Sequence, residues 1–153
     1  VNVETAAQMQ AAIDAVWATS DVMVMSAAVA DFRPVSCATQ KIKKDGGIPQ
    51  IVLEATPDIL AGLGASKRPD QVLVGFAAET SDLVANAQSK LERKNLDLIV
   101  ANDVSQPGVG FAHDTNAVTF LRPSQALESV SLTDKRAVAR ALLDIVVQIR
   151  ASQ

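Results

Sequence analysis

The chain has 153 residues, which is long enough for one domain with a sizeable core. Its net charge is −3, and the basic footprint of a nucleic-acid-binding protein is missing, so we expect no nucleic-acid partner. Hydrophobic residues make up 48% of the chain and aromatic residues only 3%, which favours an alanine- and valine-rich α/β protein over a β-sandwich.

The first predicted helix follows residues 1–3, which have the character of a strand end. Thr5 and Gln8 have the spacing of a capping box, so the helix should begin there. Apolar residues recur at helical spacing after the cap, which predicts one buried face with Trp17 in the core. The residues on that face are Ala6, Met9, Ile13, Val16 and Trp17.

An unbroken apolar run at residues 22–30 predicts a strand buried on both faces, as in a parallel sheet. Ser26, Ala27 and Ala28 are small and leave room for a ligand at the carboxyl end of this strand, where open α/β sheets place their sites. A strand of this composition is more often only core. The pattern alone therefore leaves both interpretations open.

A lone acid and a cluster of lysines follow this strand. Asp31 comes first, Pro34 ends any regular element because it lacks a backbone donor, and Lys41-Ile42-Lys43-Lys44 adds three cations. Cations beside such a crevice suit a polyphosphate. The alternatives are that Asp31 caps a turn and that the lysines form a solvated turn.

Residues 48–53 alternate weakly and predict a short edge strand or hairpin arm. Thr56-Pro57-Asp58 then predicts a helix start, with Thr56 as the N-cap and Pro57 at the first helical position. The helix should end near Gly62 or Gly64. Its amino terminus would offer backbone N–H groups to a ligand, although Asp58 could equally serve only the helix dipole.

Residues 71–78 predict a second buried strand. Gly75 would let another backbone or a ligand approach closely. Phe76 lies near the end of the strand, where its ring could stack on a base, although the pattern alone favours a core role.

The helix after this strand should be capped by Thr80 or Ser81. Lys90 and Lys94 are four residues apart and therefore share one helix face. Such a pair is usually only solvated. The residues predicted to face the core are Leu83, Val84, Ala87 and Leu91.

The last part of the chain predicts further strands and a helix. Residues 96–101 predict a third buried strand, residues 116–121 another strand, and residues 127–132 an exposed antiparallel strand. Thr133 and Asp134 should cap a final helix. Its predicted core residues are Val138, Ala141, Leu142, Ile145 and Ile149.

This order of elements predicts an α/β protein. The expected architecture is a Rossmann-like three-layer α/β/α sandwich with a mostly parallel sheet and a late antiparallel hairpin at one edge. We expect a single domain over residues 1–153. The chain has neither a basic-then-apolar leader nor an apolar run of membrane-spanning length, which predicts a cytoplasmic protein without membrane contact.

Familiar catalytic motifs are missing from the sequence. It has no Walker phosphate loop, no Gly-x-Gly-x-x-Gly and no Gly-x-Ser-x-Gly elbow. His113 is the only histidine and Cys37 the only cysteine, which excludes an internal disulfide and a zinc cluster, and we expect neither to be catalytic. The remaining lysines, acid and helix termini suit a reaction catalysed by positioning and charge neutralisation, such as carboxylate activation by a nucleoside triphosphate.

The run Ala27-Ala28-Val29-Ala30-Asp31-Phe32-Arg33, followed by Lys41-Ile42-Lys43-Lys44, resembles the signature of the phosphopantothenoylcysteine synthetases of coenzyme A biosynthesis. The resemblance is to the ligase half of the bifunctional bacterial proteins. It recurs in family order at residues 57–60, 74–80 and 90–103, and thus covers nearly the whole chain.

The resemblance implies a ligase that uses CTP as co-substrate with Mg²⁺. In this family 4′-phosphopantothenate reacts with CTP to give an acyl-cytidylate, and L-cysteine displaces CMP to give 4′-phosphopantothenoylcysteine. The quoted runs are similar to those of bacterial members, which use CTP rather than ATP. A homodimer is also implied.

The resemblance assigns site residues as well. Lys41 would contact phosphates and assist catalysis, Asp31 would bind the nucleotide through its ribose, and Phe76 would lie beside the nucleotide. It implies no particular metal ligands. The implied CTP-binding residues are Met25, Ser26, Ala27, Asp31, Lys41, Pro57, Asp58, Ile59, Leu60, Phe76, Lys90 and Lys94.

The chain departs from the family at its start, because these ligases begin with a strand, a glycine-rich turn and a segment bearing Ser-Gly-Lys. We therefore expect an incomplete CTP-binding domain that lacks this strand-loop-helix, with weak CTP binding and poor turnover. A decarboxylase domain that binds FMN would precede it in the full-length protein. The alternatives are a non-catalytic nucleotide-binding module and a dimerisation module.

Overall fold

The computed structural model describes residues 1–43, 47–105 and 113–153. The helices within these ranges are α1 (Ala6–Trp17), α2 (Ile59–Ser66), α3 (Leu83–Arg93) and α4 (Lys135–Ala151). The strands are β1 (Val22–Met25), β2 (Phe32–Pro34), β3 (Leu53–Ala55), β4 (Val72–Glu79), β5 (Leu98–Asp103), β6 (Thr115–Leu121) and β7 (Glu128–Asp134).

A mixed sheet of five strands in the order β1-β4-β5-β6-β7 forms the centre of the fold. Strands β1, β4 and β5 run parallel, with Val22 opposite Val72 and Val74 opposite Leu98. Strands β6 and β7 add an antiparallel hairpin at one edge. The predicted Rossmann-like architecture with a late hairpin is therefore confirmed.

Helices cover both faces of this sheet. Leu73 of β4 packs with residues of α1, α2 and α3 on one face, whereas its neighbours Val72 and Val74 pack with α4 on the other. Successive side chains of a strand point to opposite faces, so a central strand between two helical layers must be apolar throughout. This explains the uninterrupted apolar run in β4.

The first strand differs from its prediction. The expected strand over residues 22–30 is only four residues long, and Val24 remains 37% exposed. Within the described part of the chain, β1 is the edge of the sheet and pairs only with β4. Its side chains are covered only in part: Val22 and Met23 are half-buried against the cores on opposite faces of the sheet, and only Met25 is fully buried.

The start of the chain confirms the capping box and corrects two other predictions. Thr5 Oγ1 accepts a hydrogen bond from the Gln8 N–H, and the Gln8 side chain accepts one from the Thr5 N–H. Trp17 is buried, and its Nε1 donates to Ser66 Oγ at 3.1 Å. Residues 1–3 form no strand, and Val16 is exposed rather than inward-facing.

The predicted hairpin arm is present but begins later than residue 48. Strand β3 pairs antiparallel with β2, and Arg33 Nε contacts Glu54 Oε1 at 2.7 Å across the pair. Exposed apolar side chains precede β3, among them Ile48 and Ile51. The two strands form a sheet of their own beside the central one.

Two helices start at residues other than those predicted. Asp58, not Thr56, is the N-cap of α2, because the Thr56 hydroxyl instead donates to the Ala30 carbonyl oxygen. Asp82 occupies the N-cap of α3 with a φ of 49° and no side-chain cap, in place of Thr80 or Ser81. In α4 the cap at Asp134 is confirmed.

The ends and faces of the helices need smaller corrections. Helix α2 continues past Gly62 and Gly64 to Ser66. In α3, Ala87 and Leu91 are buried as predicted, but Val84 is exposed. The core residues of α4 are Val138, Leu142, Ile145 and Val146.

Two glycines explain how closely α2 packs. A Cβ at Gly64 would overlap the Lys94 carbonyl oxygen at the end of α3, and Asn95 Nδ2 donates to the Gly64 carbonyl oxygen at 2.8 Å. A Cβ at Gly75 would lie 3.0 Å from Leu60 and 2.8 Å from Leu96. Leucine side chains, rather than the expected backbone or ligand, therefore lie closest to Gly75.

None of the helices in the described ranges has the length and apolar character needed to cross a membrane.

We expect Gly64→Ala to lower the free energy of unfolding by about 1–3 kcal/mol, because the added methyl group has no space against the Lys94 carbonyl. Gly62→Ala is the matched control in the same helix, since nothing lies within 4 Å of a Cβ there. That variant should be neutral or more stable by up to about 1 kcal/mol. Urea denaturation measures both changes, and equal stability of the two variants would contradict the packing described.

Candidate functional site

A cavity of about 260 Å³ lies at the carboxyl ends of β1 and β4, between the start of α2 and the lysine-bearing face of α3. We call it the α2–α3 cavity. Its position is the one that open α/β sheets use for ligands. Its lining residues are Met25, Ala27, Ala28, Val29, Ala30, Asp31, Thr56, Pro57, Asp58, Ile59, Leu60, Phe76, Lys90 and Lys94.

The structure thus brings most of the predicted site residues to one wall. Of the residues named from the sequence, all except Ser26 and Lys41 line the α2–α3 cavity. Lys41 is exposed between β2 and β3 and lies on none of the three cavities described here. Lys43 is exposed too, and Lys44 lies outside the described residues.

The loop after β1 is held against the start of α2 by Thr56. The Thr56 N–H donates to the Asp31 carbonyl oxygen at 2.9 Å, and its hydroxyl donates to the Ala30 carbonyl oxygen. These two bonds place Asp31 beside the amino terminus of α2. Sequence reasoning missed this role, because a threonine before Pro-Asp has the pattern of a local cap.

Lys94 and Asp58 form an ion pair at the cavity wall. Lys94 Nζ lies 3.0 Å from Asp58 Oδ1 and 2.9 Å from Oδ2, and the Ala61 N–H donates to Oδ1 at 3.0 Å. Desolvation by itself would raise the pKa of Asp58, but the hydrogen bonds from Lys94 and Ala61 and the charges of Lys94 and Arg93 outweigh it. The pKa of Asp58 therefore lies below its ordinary value.

The second lysine of the pair has its own carboxylate. Lys90 Nζ lies 2.6 Å from Glu79 Oε1, and Asn86 Nδ2 donates to Glu79 Oε2 at 3.2 Å. Glu79 is the last residue of β4, so the strand delivers it to the same edge of the sheet as Phe76. Glu79 was not among the predicted site residues, since its pairing with Lys90 depends on how α3 packs.

The charges that line the cavity balance. Lys90 and Lys94 contribute two positive charges, and Asp31 and Asp58 two negative ones. Among the described residues, Asp31 forms no ion pair, whereas the carboxylate of Asp58 is occupied by Lys94. The two lysines are thus held by their carboxylate partners, and the residues that line the cavity carry no net positive charge.

A second cavity, of about 680 Å³, lies on the opposite face of the sheet, beside α4. Ser26 and Asn102 line it, together with apolar residues of α4 such as Leu142. Phe76, with Ala27 and Ala28, lines both cavities. Apart from Lys41, the predicted site residues therefore line one or both of two cavities that meet at the end of β1 and β4.

The two reactive side chains lie away from the α2–α3 cavity. Cys37 is exposed and lines a third cavity of about 880 Å³ between the start of the chain and β2. His113 is also exposed. Neither residue lines the α2–α3 cavity.

The cavity has a donor set that fits only a metal carried by a ligand. No group of three or more His, Cys, Asp or Glu side chains suited to a metal is present in the ranges that the structure describes. Mg²⁺ in nucleotide sites is usually held by one or two carboxylates together with phosphates and water. Within the ranges that the structure describes, Asp31 is the cavity carboxylate without an ion pair, and its chemistry fits that supporting role.

Residues 1–149 match the family model described as DNA/pantothenate metabolism flavoprotein C-terminal domain. The chain belongs to this family. The predicted resemblance to the ligase half of bifunctional coenzyme A biosynthesis proteins is also confirmed, because proteins with that name match most of the chain. The coenzyme A biosynthesis bifunctional protein CoaBC of Bacillus subtilis is 50% identical over 120 residues, which are 78% of this chain and 29% of that protein.

Other relatives of this C-terminal domain extend the match over more of the chain. CoaBC of Escherichia coli K12 is 42% identical over 150 residues, 96% of this chain and 37% of that protein. A protein named cysteine/cysteine sulfinic acid decarboxylase, from an unknown prokaryotic organism, is 43% identical over 143 residues, 94% of this chain and 40% of that protein. The chain thus spans between 29% and 40% of the length of these relatives.

Two solved structures share the fold. The crystal structure of the C-terminal domain of CoaBC has a TM-score of 0.81 and 35% identity, covering all of this chain and 66% of that one. A Cab2 variant in complex with phosphopantothenate-cysteine has a TM-score of 0.73 and 19% identity, covering 99% of this chain and 54% of that one. At that identity the second match supports the fold alone.

We expect stability to depend on the ionisation of Asp58. A folded-state pKa below the ordinary value means that the ion pair stabilises the fold above that value and that this stabilisation is lost as the pH falls through the folded-state pKa. Asp58→Asn keeps a good N-cap and removes the charge, so it should cost less than about 1 kcal/mol at pH 7.

The measurement is urea denaturation of both proteins over a pH series from 7 down into the range where carboxyl groups become protonated. The difference in stability between wild type and Asp58→Asn should shrink as the pH falls. A difference that stays constant, or grows, would contradict the assigned pairing with Lys94.

Proposed function

We propose that this chain is the ligase part of a coenzyme A biosynthesis enzyme, and that it joins 4′-phosphopantothenate to L-cysteine with CTP as co-substrate. Carboxylate attack on the α-phosphate of CTP would release pyrophosphate and form an acyl-cytidylate. The amine of cysteine would then displace CMP to form the amide. The observation that carries the proposal is the convergence of Asp31, Phe76, Lys90 and Lys94 on one cavity at the carboxyl end of the sheet.

Different residues of the α2–α3 cavity suit the base, the ribose and the phosphates of a nucleotide. Phe76 offers a ring beside the space, Asp31 offers an acceptor for ribose hydroxyls, and Lys90 and Lys94 offer donors for phosphates. Helix α2 begins at the cavity with N–H groups that also favour anions. No protein nucleophile is needed, because such a reaction is accelerated by alignment and by neutralising developing charge.

Lys41 does not line the cavity, and its proposed role is at the phosphates of CTP. The cavity lining is neutral, whereas a triphosphate is strongly anionic, so further cations must come from outside the wall. Lys41, on the segment between β2 and β3, would supply one and assist at the α-phosphate. Mg²⁺ arriving with CTP would neutralise phosphate charge.

The relatives support the assignment to this pathway. The matched proteins of Bacillus subtilis and Escherichia coli are bifunctional coenzyme A biosynthesis proteins, and this chain matches about a third of each. The Cab2 structure of the same fold holds phosphopantothenate-cysteine. We propose that the full-length protein also carries an FMN-dependent decarboxylase domain, acts as a homodimer and resides in the cytoplasm.

The alternative is a module that binds a nucleotide or a second copy without catalysis. In a ligase, Lys41→Ala should lower pyrophosphate release from CTP and 4′-phosphopantothenate by on the order of 100-fold, because a cation at the reacting phosphate is lost. In a nucleotide sensor, the same change would only weaken binding. Lys43→Ala is the matched control, since it removes the same charge two residues away.

The experiment combines calorimetric titration of CTP and Mg²⁺ with a pyrophosphate-release assay on the wild type and both variants. Binding with slow release in the wild type, as expected of an incomplete domain, and a further selective loss of release in Lys41→Ala support the ligase. Binding without release favours the sensor. Absence of both binding and any change in melting temperature with nucleoside triphosphates favours the dimerisation module.

A further inference from the structure

Glu79 is a largely buried acid next to the α2–α3 cavity. Its side chain is 15% exposed, and its two oxygens accept hydrogen bonds from Lys90 Nζ at 2.6 Å and from Asn86 Nδ2 at 3.2 Å. Asn86 is held in turn, because the same amide nitrogen donates to the Ser81 carbonyl oxygen at 3.1 Å. The carboxylate is thus fixed by α3 and by the turn that precedes it.

Glu79 contacts Lys90 but does not itself line the α2–α3 cavity. Lys90 lines the cavity and is 37% exposed, whereas Glu79 is not among the lining residues. A lysine side chain on a helix has four rotatable carbons and samples many directions when nothing holds it. An acceptor at 2.6 Å on a neighbouring strand limits those directions before any ligand arrives.

We propose that Glu79 is a positioning residue that holds the Lys90 ammonium at the cavity wall, where it meets the phosphates of a nucleoside triphosphate. This inference rests on the proposed function. Holding the lysine in place lowers the entropy that binding must otherwise remove from a flexible side chain. The remaining two donors of the ammonium stay available to phosphate oxygens.

Positioning of Lys90 by Glu79 favours triphosphate binding, whereas the negative charge of Glu79 disfavours it. It repels phosphate, so removing it would strengthen binding if the electric field dominated. Glu79→Gln and Glu79→Ala separate the two effects. Glutamine removes the charge but keeps an acceptor for Lys90, whereas alanine removes both.

The test is calorimetric titration of CTP and Mg²⁺ into the full chain. Glu79→Ala should weaken binding about tenfold, as expected for losing one well-placed hydrogen bond to a charged group. Glu79→Gln should stay within about threefold of the wild type, since the acceptor remains. In a Lys90→Ala background, Glu79→Ala should have no further effect, because there is no ammonium left to position.

Glu92→Ala is the matched control. Glu92 is an acid of α3 that accepts a hydrogen bond from Gln88 Nε2 at 2.6 Å, and like Glu79 it does not line the cavity. This variant should bind CTP like the wild type. Tighter binding by Glu79→Ala, equal weakening by alanine and glutamine, or an undiminished effect without Lys90 would each overturn the proposal.

A second measurement needs no nucleotide. Acylation by an amine-reactive reagent, followed residue by residue by mass spectrometry, should be faster at Lys90 in Glu79→Ala than in the wild type, with the exposed Lys43 as internal reference. Failure of the wild type to bind CTP would count against the proposed function, while faster acylation of Lys90 would still support its positioning by Glu79. Unchanged acylation would overturn that role.

Discussion

The close packing of α2 against the end of α3 determines the geometry of the candidate site. Gly64 has no Cβ, so the Lys94 carbonyl can approach it, and Asn95 bonds to the Gly64 carbonyl from the same turn. Because α2 is only eight residues long, this contact near its end also fixes its start. Asp58 is thereby brought to the Lys94 ammonium, and the cavity lies between the two helices.

The ion pairs of Lys90 and Lys94 fix the positions of the two ammonium groups and also neutralise their charges. Each of the two lysines has a carboxylate partner on another element, Glu79 on β4 for Lys90 and Asp58 at the start of α2 for Lys94. Such pairs contribute little to stability when partly exposed. Their main effect is to fix the positions of two donors that a flexible anion would otherwise have to order.

Much of the fold could be predicted because its signals are local. The capping box of Thr5 and Gln8, the cap at Asp134 and the apolar run of β4 depend on residues near each other in the sequence. The wrong predictions concern positions whose structure depends on contacts with residues far away in the sequence. Thr56 does not cap α2 because it bonds to Ala30, and Val24 is exposed because β1 lies at an edge of the described sheet.

The same distinction between local signals and long-range contacts applies to the candidate site. The spacing of Lys90 and Lys94 on one helix face is a local property and was predicted, whereas the acids that pair with them come from other elements. Family resemblance named residues far apart in sequence, and the order of β1, β4 and α3 brings most of them together. Ser26 faces the opposite side of the sheet, and Lys41 lies away from the wall.

The central claim is that a nucleoside triphosphate binds in the α2–α3 cavity. The most direct measurement is a two-dimensional amide and methyl NMR titration of the chain with CTP and Mg²⁺. If CTP binds there, the largest shift changes should occur at Leu60, Ile59 and the neighbours of Lys94, with little change at Leu142 and Asn116 beside α4. Changes centred on Leu142 and Asn116, or none at saturating CTP, would contradict it.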